Sequence, residues 1–341
     1  MSFISVITTI QAPTPAVEKL AAAMPSSTSS RVLIVGDAKG PLDYPLLGAE
    51  LITLKEQLEL PWELARNLPT GHYSRKNLGY LLAMERGATS IYETDDDNAP
   101  LPCWQPRQRE VEALVVEERG WVNAYRAFTS ERIWPRGLPL DEVTESCNRP
   151  LSLSEETKLV DAPIQQGLAN GSPDVDAVWR LVMDREFSFE SDAPSIHLPP
   201  GAWCPFNTQS TWWWPEAYSL LYVPSYCSFR MCDIWKSFVA QRCVWELGMG
   251  VVFHAPEVMQ DRNVHDLMRD FGDEIPGYQK NRRLVEILER VALSDAVGET
   301  GRNLRKCYQA LVQEEIFPAA ELELVDAWLD AVSEMQHFTK S

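Results

Sequence analysis

Three consecutive aspartates, Asp95-Asp96-Asp97, close the segment Ser-Ile-Tyr-Glu-Thr over residues 90–94. Ile91 and Tyr92 read as the end of a buried strand, so the triplet is delivered to that strand's C-terminal edge. A D-x-D at such an edge holds the carboxylates of Asp95 and Asp97 at fixed spacing. There they can share one hard divalent cation, Mn2+ or Mg2+, whose remaining ligands are waters and substrate phosphates. Asp96 lies between them and is counted among the cofactor-binding candidates. The ordinary alternative is a solvated acidic turn, which is what most Asp runs are.

Other segments offer chemistry of the same kind. Val35-Gly36-Asp37-Ala38-Lys39-Gly40 follows an apolar run, and open α/β sheets bind ligands beyond the carboxyl ends of their strands. Asp37 there can accept from a base or ribose and Lys39 can approach a phosphate, although an ordinary strand-end turn explains the same residues. Thr8, near the end of the first β-rich run, joins them as a cofactor-binding candidate. Arg75 and Lys76 open a helix whose N-terminus is already positive; an anionic group such as a diphosphate would offset two further cations there. A solvated basic first turn is the plain alternative.

Arg136 sits in a Pro-flanked turn, Trp134-Pro135-Arg136-Gly137-Leu138-Pro139. Asp174 and Asp176 form a second D-x-D just before the apolar run Ala177 to Val182, and Asp233 precedes another helical stretch. Helix capping accounts for all three. Asp233 equally suits a catalytic base presented by its helix. His254 is a lone histidine and reads as a satisfied core residue or a metal ligand. Trp212, Trp213 and Trp214 read as core or as a stacking surface. Cys232 and Cys243 have no base at motif spacing.

The elements that must position these residues follow from periodicity. A β-rich run over Phe3–Ile10, a helix over Pro15–Met24, the Ser-rich loop 26–30 and the apolar run Arg31–Val35 make a βαβ unit and predict a parallel sheet. Leu51–Leu54 reads as a third strand, Arg75–Gly87 and Asp233–Gly248 as helices, and Gly250–His254 as a strand. Beyond Asp261 the chain is charged and helical. The predicted division is a domain over 1–260 and a helical appendage over 261–341.

The 341 residues are 45% hydrophobic and 23% charged, ordinary values for a globular chain. A net charge of −18 excludes a general affinity for nucleic acid and requires any bound nucleotide to be met by a cation and local basic groups. Seven cysteines without a C-x-x-C pair suggest neither a disulfide framework nor a zinc site. No apolar stretch approaches the roughly 18 residues of a membrane span, and no signal peptide is visible. The expectation is a soluble, cytoplasmic protein.

Taken together, several segments resemble the glycosyltransferase domain of the plant STELLO proteins. They are Val35–Lys39, Arg75–Ala83 with Gly87-Ala88, Asp95–Asp97, Trp134–Leu140, Gln165–Asp176, Asp233-Ile234-Trp235 and Gln241–Gly248. The resemblance runs from about residue 3 to about 335. It implies a GT-A-like three-layer α/β/α sandwich with a mostly parallel, Rossmann-like sheet and a helical C-terminal tail. It also implies glycosyl transfer from a nucleotide diphosphate sugar, a UDP-sugar first, to an unknown acceptor. In that reading Asp95 and Asp97 hold the metal, Thr8, Asp37, Lys39, Arg75, Lys76 and Asp96 meet the nucleotide and phosphates, and Asp233 is the general base. Arg136 touches donor sugar or diphosphate, with Asp174 and Asp176 as sugar-binding or substitute carboxylates. Plant STELLO proteins also carry a membrane anchor and a second domain, and the resemblance here is to the catalytic-type module.

The same segments are distantly similar to the reversibly glycosylated polypeptides, which are UDP-arabinopyranose mutases. In those proteins an R-G-x-P arginine becomes glycosylated, and by position it is Arg136. A nucleotide-sugar mutase and a non-catalytic scaffold therefore stand as alternatives. The intact pair of like charges at Asp95 and Asp97 speaks against the scaffold.

Overall fold

The computed structural model describes residues 3–25, 31–183, 185–261, 266–296 and 298–338; the expected loop 26–30 lies outside them. The chain begins with β1 (Phe3–Thr8), α1 (Pro15–Ala23), β2 (Arg31–Val35) and β3 (Ala49–Ile52). β1 stops two residues before the expected end because the Thr9 hydroxyl accepts from the Gln11 amide at 2.9 Å and turns the chain. β3 stops at Ile52 because Thr53 instead caps α2 (Leu54–Glu59) in a capping box with Glu56. After α3 (Glu63–Asn67), the helix expected from Arg75 starts one residue later as α4 (Lys76–Glu85), preceded by a 3-10 turn over Tyr73–Arg75.

The middle of the chain contributes β4 (Ser90–Thr94), β5 (Asn98–Pro100), β6 (Glu110–Val115), β7 (Gly120–Trp121) and α5 (Leu140–Asn148). It continues through β8 (Lys158–Asp161), β9 (Ile164–Gly171), α6 (Ala177–Met183), β10 (Ile196–Leu198), β11 (Ala202–Trp203) and β12 (Ser210–Trp213). The last elements are α7 (Cys232–Trp245), β13 (Val251–Gln260), α8 (Leu267–Arg290), α9 (Thr300–Gln313) and α10 (Ala319–Phe338).

Among the described residues one sheet of eleven strands organises the fold, in the order β3-β2-β1-β4-β12-β9-β13-β10-β6-β8 with β5 on β13, while β7 and β11 pair separately. β3, β2, β1 and β4 are parallel throughout, as the opening βαβ unit predicts. β12 then runs antiparallel to both β4 and β9, and β9 is again parallel to β13. Mostly parallel at its N-terminal half and mixed beyond it, the sheet matches a GT-A-like α/β architecture.

Strand alternation makes the layers. Ile4, Val6, Leu33 and Val35 face α4, where they pack with Leu78 and Leu81. Phe3, Ile7, Val32 and Ile34 point the other way, onto Val17 and Leu20 of α1. Gly79 lets α4 lie directly on the sheet: a Cβ there would come within 2.5 Å of Val6 Cγ1 and 2.6 Å of Val35 Cγ2.

The helices after residue 261 do not enclose a core of their own. Leu284, Leu304, Trp328 and Val332 belong to the same buried cluster as Val6 and Leu78. Buried polar contacts cross the expected boundary as well: Trp235 Nε1 donates to Asn281 at 2.8 Å and Trp328 Nε1 to the Ser219 carbonyl at 2.8 Å. Among the described residues no helix is long and apolar enough to cross a membrane.

Candidate functional site

β4 pairs with β1 and β12 and ends at Thr94, so Asp95–Asp97 stand at the C-terminal edge of the sheet. The three carboxylates go to different places. Asp95 Oδ1 accepts from the Tyr73 hydroxyl at 2.6 Å and from Lys76 Nζ at 3.0 Å. Lys76 is fully buried and its ammonium also donates to the Thr94 carbonyl at 2.7 Å and to Tyr73 at 2.6 Å. Asp96 turns toward α1: its Oδ2 accepts from the Thr9 hydroxyl, and its carbonyl accepts from Thr14 at 2.5 Å. Asp97 accepts from Asn98 Nδ2 at 2.9 Å and from Gln260 Nε2 at 3.0 Å.

Burial raises the pKa of Asp96, and burial with the charge of Asp95 pushes Asp97 up to about 7. The side-chain oxygen of Asn98, Oδ1, is buried beside them without a hydrogen-bond partner among the described residues. Asp96 and Asp97 open on a cleft of about 1000 Å3 that runs between α1, residues 99–104 and the end of β13.

The nucleotide-side candidates separate. Asp37 accepts from the amides of Ala38, Gly71 and His72, the last two at 2.8 and 3.1 Å, and thereby folds the 71–72 loop onto the end of β2. Lys39 is exposed. Thr8 Oγ1, at the same edge, is buried without a partner among the described residues. Arg75 is placed otherwise than expected. It is fully buried and donates to Gln57 Oε1 at 2.6 Å and to the carbonyls of Leu68 and Ala65 at 3.1 and 3.3 Å. It ties together the end of α3 and the start of α4, because those carbonyls have no helical partner; phosphate is not its counter-charge.

A second cluster joins Arg136, Asp174 and Asp233. Arg136 donates Nε and Nη2 to the two oxygens of Asp174 at 2.7 and 3.0 Å. It donates Nη1 and Nη2 to those of Asp233 at 2.9 and 2.7 Å, and Nη1 also reaches the Arg230 carbonyl. All three side chains are buried. Gly137 follows at φ +95°, and a Cβ there would lie 2.4 Å from Ile234, which is why the arginine turn can press against α7. Both oxygens of Asp233 are engaged by the Arg136 guanidinium, so the carboxylate expected as a general base stands inside an ion-pair cluster. Asp174 and Arg136 belong to the same cluster.

Asp176 stands apart from this clamp. It caps α6 through the Trp179 amide at 2.8 Å and accepts from Trp134 Nε1 at 2.6 Å. Burial pushes it up to about 7, from an ordinary 3.8. A folded-state pKa above the unfolded one means that the native state retains a proton which the unfolded chain releases. Its contribution is present below about pH 4 and is lost as pH rises toward 7. Asp176→Asn should therefore show a smaller fall in the urea unfolding midpoint between pH 5 and pH 8 than the parent chain. Equal falls in the two proteins would contradict this.

The remaining candidates are core residues. His254 bonds Ser195 Oγ at 2.7 Å and Gln165 Oε1 at 2.9 Å, and burial holds it well below the usual imidazole range. Trp212, Trp213 and Trp214 are buried, Trp213 with its indole on Glu93 at 2.7 Å. Four participants carry no sequence motif: Tyr73, Thr208, Asn98 and Gln260. Tyr73 alone had a signal, standing three residues before Lys76 and so on the same turn.

The two clusters are linked. The ring of Phe229, next to the Arg230 carbonyl that Arg136 holds, lies 5.8 Å from the ring of Tyr73, whose hydroxyl touches Asp95.

A family model described as STELLO glycosyltransferases matches residues 230–340, the span of α7 to α10. Among curated proteins, "Probable glycosyltransferase STELLO2" of Arabidopsis thaliana is 31% identical over 280 residues, covering 76% of this chain and 36% of that protein. "Probable glycosyltransferase STELLO1" of the same plant is 30% identical over 247 residues, covering 66% of this chain and 32% of its own length. The chain thus spans about a third of the length of these relatives.

Proposed function

This chain belongs to the STELLO-type glycosyltransferase family, and from that premise we propose that it transfers a hexosyl or pentosyl group from a nucleotide diphosphate sugar, a UDP-sugar first, with a divalent cation. The observation that carries the reading is the edge of β4. Asp95 and Asp97 sit there at D-x-D spacing; Asp97 lines an open cleft beside the side-chain oxygen of Asn98, which is buried without a partner among the described residues, while Asp95 is held on Tyr73 and Lys76. Such all-oxygen donors suit Mg2+ or Mn2+. No three His, Cys, Asp or Glu side chains converge into a metal cage among the described residues, so substrate phosphate would complete the ligand set.

Asp95 and Asp97 would hold the ion, which when bound supplies Lewis-acid stabilisation to the diphosphate leaving group. The protein's own groups do the rest. Lys76 fixes the Asp95 carboxylate through Oδ1 and keeps a buried positive charge at the same edge. Tyr73 and Thr208 brace that carboxylate, their hydroxyls 2.6 Å apart. Thr9 and Thr14 hold Asp96 and with it the turn.

A mutase that glycosylates Arg136 is disfavoured. All five of its N–H groups have acceptors and the residue is only 5% exposed, so no nitrogen is available to attack a sugar.

Calorimetric titration with UDP, with and without Mg2+, tests the donor site. Heat that requires the metal and vanishes in Asp95→Ala/Asp97→Ala is the expected result. UDP silent in both conditions, with GDP equally silent, would remove the donor assignment and leave a scaffold.

A further inference from the structure

All seven cysteines of the chain are free thiols, and two of them stand apart from the rest. Cys103 donates to the Pro256 carbonyl at 3.5 Å and Cys147 to that of Ile133 at 3.7 Å. Cys204 donates to the Pro205 carbonyl at 3.6 Å and Cys232 to that of Phe229 at 3.1 Å. Cys243 of α7 and Cys307 of α9 meet each other instead, sulfur to sulfur at 3.8 Å. Both are fully buried.

A buried cysteine is ordinarily no more than a small apolar side chain. This pair differs in how its two helices are held. Arg242, next to Cys243, donates to the carbonyls of Leu288 and Val291 at the end of α8, both at 3.0 Å. Asn303, one turn before Cys307 on α9, accepts from the Ser294 amide at 2.9 Å and donates to its carbonyl at 2.7 Å. Glu321 of α10, itself fully buried, accepts from the Ser225 amide at 3.1 and 3.2 Å and from the Tyr226 amide at 2.7 Å. It ties the tail to the segment ahead of α7. Bonds that do not involve the sulfurs therefore set both helices, and the fold itself turns one thiol onto the other.

The surroundings suit a bond better than two thiols. Val239, Val244, Leu304, Tyr308 and Leu311 belong to the same buried cluster as the two sulfurs. A disulfide carries no proton donor to satisfy in such a shell. Burial pushes the Cys243 thiol well above its ordinary range, and Cys307 beside it adds to the rise. A thiol kept protonated in this way is neither a nucleophile nor a metal ligand in the finished fold.

We propose that Cys243 and Cys307 are a disulfide site, oxidised by a small-molecule disulfide such as oxidised glutathione while the chain folds. One cysteine thiolate attacks a glutathione sulfur, breaks the S–S bond and leaves a mixed disulfide with one glutathione thiolate expelled. The second cysteine thiolate attacks the protein sulfur of that mixed disulfide, forms the Cys243–Cys307 bond and expels the second glutathione. The two cysteine protons end on the two glutathione thiols, and two electrons pass from the protein to the oxidant. Buried thiols are closed to so bulky a reagent, so the step belongs to the chain before α9 has docked on α7. The bond closes a loop of 64 positions around α8 and joins the tail covalently to the helix that carries Asp233. Once enclosed, it is shielded from reductants.

The full chain, reduced and unfolded in urea, is refolded in a buffer of reduced and oxidised glutathione. It is then alkylated, digested without reduction and mapped by mass spectrometry. A peptide pair joined through Cys243 and Cys307 is expected, with the other cysteines alkylated. The midpoint of thermal unfolding should lie about 5 °C above that of the chain refolded in dithiothreitol, because closing a long loop constrains the unfolded state. Cys243→Ala and Cys307→Ala should each melt alike from the two buffers, whereas Cys103→Ala, at an exposed position, should keep the difference. Refolded chain with both thiols alkylated, or with either joined to another cysteine, would overturn the site. So would a bonded chain that melts no higher than the reduced one.

Discussion

Arg136→Met should cost about 3–5 kcal/mol of folding stability, the usual penalty for removing one partner of a buried ion pair. The loss is large because one guanidinium serves two carboxylates. Without it, Asp174 and Asp233 remain as buried acids stripped of the guanidinium bonded to both, and the Arg230 carbonyl loses a donor. Arg136→Lys should not restore stability, since an ammonium cannot present the planar fork that meets four carboxylate oxygens. A triple change that also makes both aspartates asparagine should recover part of the loss. Urea unfolding at pH 7 reads all three; a midpoint unchanged in Arg136→Met would show that the clamp contributes nothing.

Asp97→Asn should lower metal-supported turnover about 100-fold or more, the scale of losing one electrostatic contact to a developing charge. Its fold should survive, because the Asp97 carboxylate accepts from the Asn98 and Gln260 side chains at the edge of the cleft, and an asparagine oxygen can still accept from one of them. Asp95→Asn should behave differently. Asp95 is the carboxylate that faces the buried ammonium of Lys76, so neutralising it leaves that charge uncompensated and lowers stability as well as activity. Thermal unfolding beside metal-dependent UDP binding separates the two. Equal melting losses in both variants, or undiminished UDP binding by Asp97→Asn, would contradict the division of labour.

The parts of this architecture legible in the sequence were those written in short-range pattern. Arg31–Val35 is a continuous apolar run and became an interior parallel strand, and the Asp triplet sits at a strand end as its flanks predicted. Thr53 shows where pattern fails: Leu51–Leu54 looked like one strand, but a cap and Glu56 three residues later start a helix inside it. The site residues divide in the same way. The grouping of Arg136, Asp174 and Asp233 had no local sign, since the partners lie 38 and 97 positions apart. Their ion pairing exists only in the folded chain. Arg75 was misread for a related reason. A cation at a helix start looks as though it faces outward, and only tertiary packing turned it onto the carbonyls at the end of α3. The helical tail read as separate because charge dominates its composition, yet its apolar stripe completes the main core.

Glu321 has a consequence in time as well as in space. Its carboxylate closes the 225–226 turn across 96 and 95 positions of sequence. The 225–226 turn therefore cannot take its final shape until α10 has been made and has packed. Contacts this distant form slowly, after local helices and neighbouring strands. The bonds that hold Asp95, from Tyr73, Lys76 and through Tyr73 to Thr208, involve only residues that precede this turn, so they can form before it closes.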